Sequence, residues 1–146
     1  MQNRRKSRSG KSLELHLASI FEASNIRFEC QVRTEGNKRP DFIFPSGEAY
    51  HNIHFPIEKL TMLAAKTTCK DRWRQILNEA DRFRDQKKYL FTLQEGISTQ
   101  QMDEMHEEQV VLVVPRRNLS YFKQAAQGSL MDLSGFVDTV RQQQTV

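Results

Sequence analysis

The sequence is poor in cysteine and in long apolar runs, and each shortage closes off a class of protein. Two cysteines, Cys30 and Cys69, cannot build a disulfide framework, nor a four-ligand zinc centre by themselves. They read as free thiols in a reducing cytoplasm. No apolar run approaches the ~18 residues that span a bilayer, and the N-terminus lacks a signal-peptide core. No internal repeat or low-complexity segment is present, which excludes repeat architectures. What remains, at 146 residues with 38% hydrophobic and 27% charged content, is one compact α/β-sized domain.

A formal charge of +4 and a pI near 9.2 favour a polyanionic partner. The positive charge is clustered. Arg4, Arg5, Lys6, Arg8 and Lys11 open the chain, and Lys66, Lys70, Arg72 and Arg74 fall close together further on. The first cluster reads equally as a solvated tail. The second follows a strongly apolar segment and opens an expected helix, which makes a functional reading more pressing.

Residues 1–10 read as a basic, flexible N-terminal arm and residues 11–146 as the folded domain. Leu13, Leu17, Ile20, Phe21 and Ser24 share a helical face, so a helix is expected from Lys11 to about Asn25. Ile26 to Thr34 alternates as a strand, residues 34–38 form a turn, and Asp41 to Phe44 is a second strand opened by Pro40. A polar loop is expected from Glu48 to Glu58. Leu60 to Thr68 is nearly continuous in apolar or small residues, as a central strand covered on both faces requires. Asp71 is placed to cap a helix running to about Gln86, with Trp73, Ile76, Leu77, Ala80 and Phe83 as its apolar stripe. A strand at Lys88–Leu93, a helix at Ser98–Glu108, a strand at Val110–Val114 and helical patterning over Leu119–Leu130 and Leu133–Val140 complete the chain. The order predicts an α/β fold, a central mixed β-sheet flanked by helices, with an αβββαβ core.

Within that frame, an acid opening one strand and a lysine late in the next suit a metal-dependent phosphodiesterase. Asp41 would hold a divalent cation, and Lys66 would orient the attacking water and offset charge developing on phosphorus. A lysine that merely reaches solvent from the strand end is the competing reading. Such sites need a second carboxylate, usually two residues before the lysine, and that position is Ala64. Glu79 is a candidate replacement, seven residues after Arg72 and so about 10 Å further along the same side of an α-helix. Glu14, bordering the apolar face of the first helix, is a further candidate. Either glutamate also fits an ordinary surface role.

Lys38-Arg39-Pro40-Asp41-Phe42, followed by the run from Lys66 to Ala80, closely resembles the catalytic domain of the EcoRII-type restriction endonucleases, within the PD-(D/E)XK nuclease superfamily. The likeness extends to residues 8–14 and 90–96. It implies the restriction-endonuclease-like fold, Mg²⁺ held by Asp41 and Glu79, Lys66 as the catalytic lysine, Glu14 as an accessory acid and Tyr50 as an active-site tyrosine. His51 and His54 in the same loop are expected to make ordinary hydrogen bonds.

In related enzymes the positions just after the catalytic lysine read bases. Here they are Lys70, Asp71 and Arg72, with Arg74 beside them. Lys and Arg donate to guanine, and Asp accepts from cytosine N4. The resemblance implies double-stranded DNA containing CCWGG, cut to leave 5′ overhangs, and a two-fold homodimer in the bacterial cytoplasm. Enzymes of this type carry an N-terminal effector-binding domain, and this chain is expected to be the catalytic domain without it. Two other functions compete: a site-specific DNA-binding module that does not cut, and a nuclease-fold repair protein.

Overall fold

A computed structural model describes residues 2–36, 38–68, 72–122, 125 and 128–144, with backbone alone for residues 2–11 and 72. Six strands form one sheet in sequential order: β1 (Glu29–Cys30), β2 (Phe42–Phe44), β3 (Thr61–Lys66), β4 (Lys88–Thr92), β5 (Val110–Val114) and β6 (Leu130–Asp132). β2 runs antiparallel to its neighbours β1 and β3, and β3 to β6 run parallel. The helices are α1 (Gln2–Ala23), α2 (Gly47–His51), α3 (Thr99–Glu107) and α4 (Leu133–Gln144). This is the mixed-sheet α/β sandwich that the sequence predicts.

Strand alternation divides the core into two layers. Phe42, Phe44, Leu63, Tyr89, Phe91, Val111 and Val113 pack against Leu13, Leu17 and Phe21 of α1 and Phe136, Val137 and Val140 of α4. Ile43, Met62, Ala64, Leu90, Leu112 and Val114 face the other way, onto Trp73, Ile76, Phe83, Met102 and Met105. Phe21 anchors the first layer, with Phe42 and Phe44 at 5.3 and 5.2 Å in edge-to-face contact. Each such pair contributes about 0.5–1.5 kcal/mol beyond its buried area. α1 ends where Asn25 turns left-handed (φ 59) and the Ile26 N–H returns to the Phe21 carbonyl at 3.3 Å, a C-cap that asparagine tolerates.

Several expectations are corrected. The basic stretch read as an arm has helical backbone continuous with α1 from Gln2. The strand expected over Ile26–Thr34 pairs only at Glu29–Cys30, because Gln31 adopts a left-handed conformation (φ 54). The loop expected from Glu48 to Glu58 opens within α2, capped by the Ser46 hydroxyl, which accepts the Ala49 N–H at 3.1 Å. The helix expected over Leu119–Leu130 is a 3₁₀ segment at Arg116–Phe122, and the chain between it and α4 adds β6 beside β5.

The largest correction concerns the helix expected up to Gln86. It is two 3₁₀ segments, Arg72–Asn78 and Asp81–Phe83, separated by a bend at Glu79 and an extended Ala80 (φ −152, ψ 113). Side chains from elsewhere take the carbonyls an α-helix would use. The Thr34 hydroxyl donates to the Glu79 carbonyl. The buried Lys88 ammonium donates to the carbonyls of Phe83, Arg84 and Gln86 at 3.1, 3.1 and 2.8 Å. The apolar stripe survives, since the three-residue spacings Trp73–Ile76 and Ala80–Phe83 also suit a 3₁₀ helix. The inferred 10 Å offset between Arg72 and Glu79 does not, because it assumed α-helical rise.

Candidate active site

Four elements bring acids and a lysine to one end of the sheet. Asp41 immediately precedes β2. Continued one residue past the Phe42–Leu63 pair, the antiparallel register sets Asp41 opposite Ala64. The acid therefore faces the alanine that occupies the usual second-acid position. Its Oδ2 accepts the Ala65 N–H at 2.7 Å, which fixes the carboxylate beside the end of β3. Lys66 ends that strand, half-buried. By alternation it continues the face of Met62 and Ala64, the layer that also holds the 72–83 segment.

Glu14 reaches the site from α1 and meets Gln31. The Gln31 Nε2 donates to Glu14 Oε1 and Oε2 at 3.1 and 3.2 Å, and to Asp41 Oδ1 at 3.2 Å. The Gln31 N–H also donates to the Asp41 carbonyl at 3.0 Å. Nothing in the sequence marks Gln31: its position depends on a left-handed backbone that glutamine composition does not signal.

The electrostatics tie these groups together. Burial, then the hydrogen bond and charge of Asp41, push the Glu14 carboxyl up to about 7, against the opposing pulls of Gln31 and Lys66. Burial and the Asp41 charge likewise hold Glu79 at about 7, again opposed by Lys66. Glu79 Oε2 is buried with no hydrogen-bond partner. Crowded carboxylates that resist ionising, with one orphaned oxygen, mark a place where a cation would relieve both penalties.

The donor set is all carboxylate oxygen, the chemistry that hard divalent cations select. Among the described residues no group of three or more His, Cys, Asp or Glu side chains is already assembled to hold an ion. Mg²⁺ keeps several waters and needs only one or two carboxylates, so Asp41 and Glu79 fit it.

Tyr50 bonds to Glu35 and to the segment that follows Glu79. Its buried hydroxyl donates to Glu35 Oε1 and accepts the Arg82 N–H at 3.3 Å. Glu35 Oε2 accepts the Asp81 N–H at 3.2 Å. The Arg82 guanidinium donates to the carbonyls of Ala49, Tyr50, Asn52 and Phe55. Tyr50 thus braces the backbone that follows Glu79, and its hydroxyl bonds to Glu35 and Arg82 rather than to Asp41, Lys66 or Glu79. His51 makes an ordinary bond to the Arg33 carbonyl at 2.8 Å, as expected.

Of the expected base-reading residues, Lys70 and Asp71 lie outside the described residues, as does the side chain of Arg72. Arg74 is exposed, with its guanidinium carbon 4.6 Å from the centre of the Trp73 ring and ion-paired to Glu104. A cleft of about 660 Å³ opens beside Thr67, the neighbour of Lys66, with Arg116 and Arg117 in its wall. None of the site carboxylates lines it.

Comparison with known proteins gives the same direction. The family described as EcoRII C terminal matches residues 1–137. The type II restriction enzyme EcoRII of Escherichia coli is 56% identical over 138 residues, covering 94% of this chain and 34% of that enzyme. The chain thus spans about a third of that relative's length. Metal-depleted Ecl18kI, solved in complex with uncleaved, modified DNA, superposes with a TM-score of 0.83 at 22% identity, over 97% of this chain and 47% of that one. The restriction endonuclease PspGI, solved with substrate DNA, gives 0.76 at 18% identity over 97% and 64%. At those identities the two structures speak to fold, while the family match and the sequence identity to EcoRII speak to descent: the chain belongs to the EcoRII C-terminal family of restriction endonucleases.

Proposed function

We propose that this domain is the catalytic part of a type II restriction endonuclease, hydrolysing double-stranded DNA at a CCWGG-like site with Mg²⁺ and leaving 5′ overhangs. The observation that carries the proposal is the convergence of Glu14, Asp41 and Glu79 around the charge of Lys66. The kinship with EcoRII supports the substrate class, and a pseudo-palindromic site favours a two-fold homodimer.

In this reading Asp41 and Glu79 hold the cation. When bound, Mg²⁺ supplies Lewis acidity at the scissile phosphate and lowers the pKa of a bound water. Lys66 orients the attacking water by hydrogen bonding and offsets the negative charge that builds on phosphorus. Glu14, held near 7, is suited to take up the proton released as water attacks. The phosphorus–oxygen bond to the leaving strand then breaks, and the leaving oxygen takes a proton from solvent water. Lys70, Asp71 and Arg72 read the G·C pairs, and Arg74 contributes positive charge towards the phosphates.

Digestion of a plasmid with mapped CCWGG sites, in Mg²⁺ and in EDTA, followed by end sequencing, tests this. Cutting at those sites in Mg²⁺ alone, lost in Lys66→Ala, is the expected result. Cutting in EDTA would overturn the mechanism, and specific binding without cutting would favour a non-cleaving module.

A further inference from the structure

We propose that Gln31 is the positioning residue of the cation seat: its side-chain amide bridges Glu14 and Asp41 and must yield when a divalent cation enters. The inference rests on the metal-dependent reading above and assigns a role to a residue that the motif does not contain.

Asp41 has two carboxylate oxygens, and Oδ2 is committed to the Ala65 N–H at 2.7 Å. Oδ1 is therefore the oxygen facing a newcomer, and it is the one that Gln31 Nε2 holds at 3.2 Å. The same nitrogen holds both oxygens of Glu14 at 3.1 and 3.2 Å. One amide thus shares its two N–H donors among three acceptors on two crowded acids, the service a cation would perform with greater charge.

The backbone aims it there. Gln31 is left-handed (φ 54), a conformation that a glutamine adopts at a cost, and its own N–H is tied to the Asp41 carbonyl at 3.0 Å. That left-handed turn ends β1 and directs the side chain at the acids rather than along the strand. The residue is exposed, so replacing it empties no core. Its amide braces the acids when no cation is present and competes for their lone pairs when one arrives.

Removing the donor should then tighten cation binding. Calorimetric titration of the DNA-free protein with Mn²⁺ at pH 8 is the test, comparing wild type with Gln31→Met and Gln31→Asn. Met keeps the length without a donor. Asn accepts a left-handed backbone readily but is one methylene short of the acids. Both variants should bind about fivefold tighter, which at 1.4 kcal/mol per tenfold is about 1 kcal/mol, the net worth of one hydrogen bond. Thermal midpoints should stay close to wild type. Unchanged or weaker binding in either variant, with wild type binding normally, overturns the role of Gln31 alone. A wild-type protein that binds no Mn²⁺ overturns it together with the metal-dependent reading.

Discussion

Asp41 accepts the backbone N–H of Ala65 at 2.7 Å, so the acid that opens β2 is held against the strand that carries Lys66. A side chain anchored this way can lose its charge and keep its place. In Asp41→Asn the amide oxygen can still accept from Ala65, and the exposed Gln31 amide can turn its oxygen towards the new NH₂. The substitution also removes the negative charge that helps push Glu14 and Glu79 up. Asp41→Asn should therefore melt at or above the wild-type temperature while losing about a hundredfold or more in cleavage. Calorimetric melting beside a cleavage assay checks both halves.

Lys66 acts on the same acids with the opposite sign, lowering the carboxyl pKa of Glu14 and Glu79. Lys66→Met should raise both further above about 7. Carboxyl-carbon NMR titration of the glutamates in the cation-free protein reads this directly, independent of any effect on cleavage.

The raised carboxyls set a pH dependence whose sign is fixed. Glu14 and Glu79 stand at about 7 against an ordinary 4.5, so between those values the folded protein holds more protons than the unfolded chain. Their contribution to cation-free stability is greatest below about 4.5 and is lost as pH rises to about 7. Divalent-cation affinity should run the other way, strengthening up to about pH 7 as protons leave the acids. Melting curves from pH 5 to 8, with and without Mg²⁺, should converge at the acid end and separate at the alkaline end.

The hydroxyl of Tyr50 links Glu35 to the Arg82 N–H, on the segment that follows Glu79. Tyr50→Phe leaves a part-buried carboxylate without that donor and should cost about 1–3 kcal/mol of stability by denaturant unfolding. If bracing is its whole role, cleavage at saturating Mg²⁺ should fall by less than about tenfold, far short of Lys66→Ala. A loss as deep as that of Lys66→Ala, with the fold intact, would make Tyr50 a catalytic residue instead.

How much was legible in the sequence follows from which forces act locally. β3, β4 and β5 announce themselves because parallel strands buried on both faces must be apolar throughout, and Val110–Val114 is found with its bounds unchanged. α3 is equally plain, with Ser98 as its N-cap. The 72–86 segment was not, because spacings of three and four serve a 3₁₀ and an α-helix alike. The donors that break it, Thr34 and Lys88, come from outside the segment. β6, only three half-buried residues, carries no periodicity of its own and exists because β5 offers an edge. Asp41 and Lys66 could be named from strand ends, and Glu79 and Glu14 from spacing and family likeness. Gln31 could not, since its role arises from a backbone angle that only the folded chain sets.

The central claim is that Glu79 supplies the acid missing at Ala64. Its most direct test is Glu79→Gln, assayed for Mg²⁺-dependent cleavage of a CCWGG duplex alongside Mn²⁺ binding by calorimetry. Neutralising a carboxyl whose Oε2 is buried without a partner should leave the fold as stable as wild type or more so. Cleavage should drop by about a hundredfold or more, and cation binding should weaken with it. A folded Glu79→Gln protein that cuts and binds Mn²⁺ like wild type would contradict the assignment.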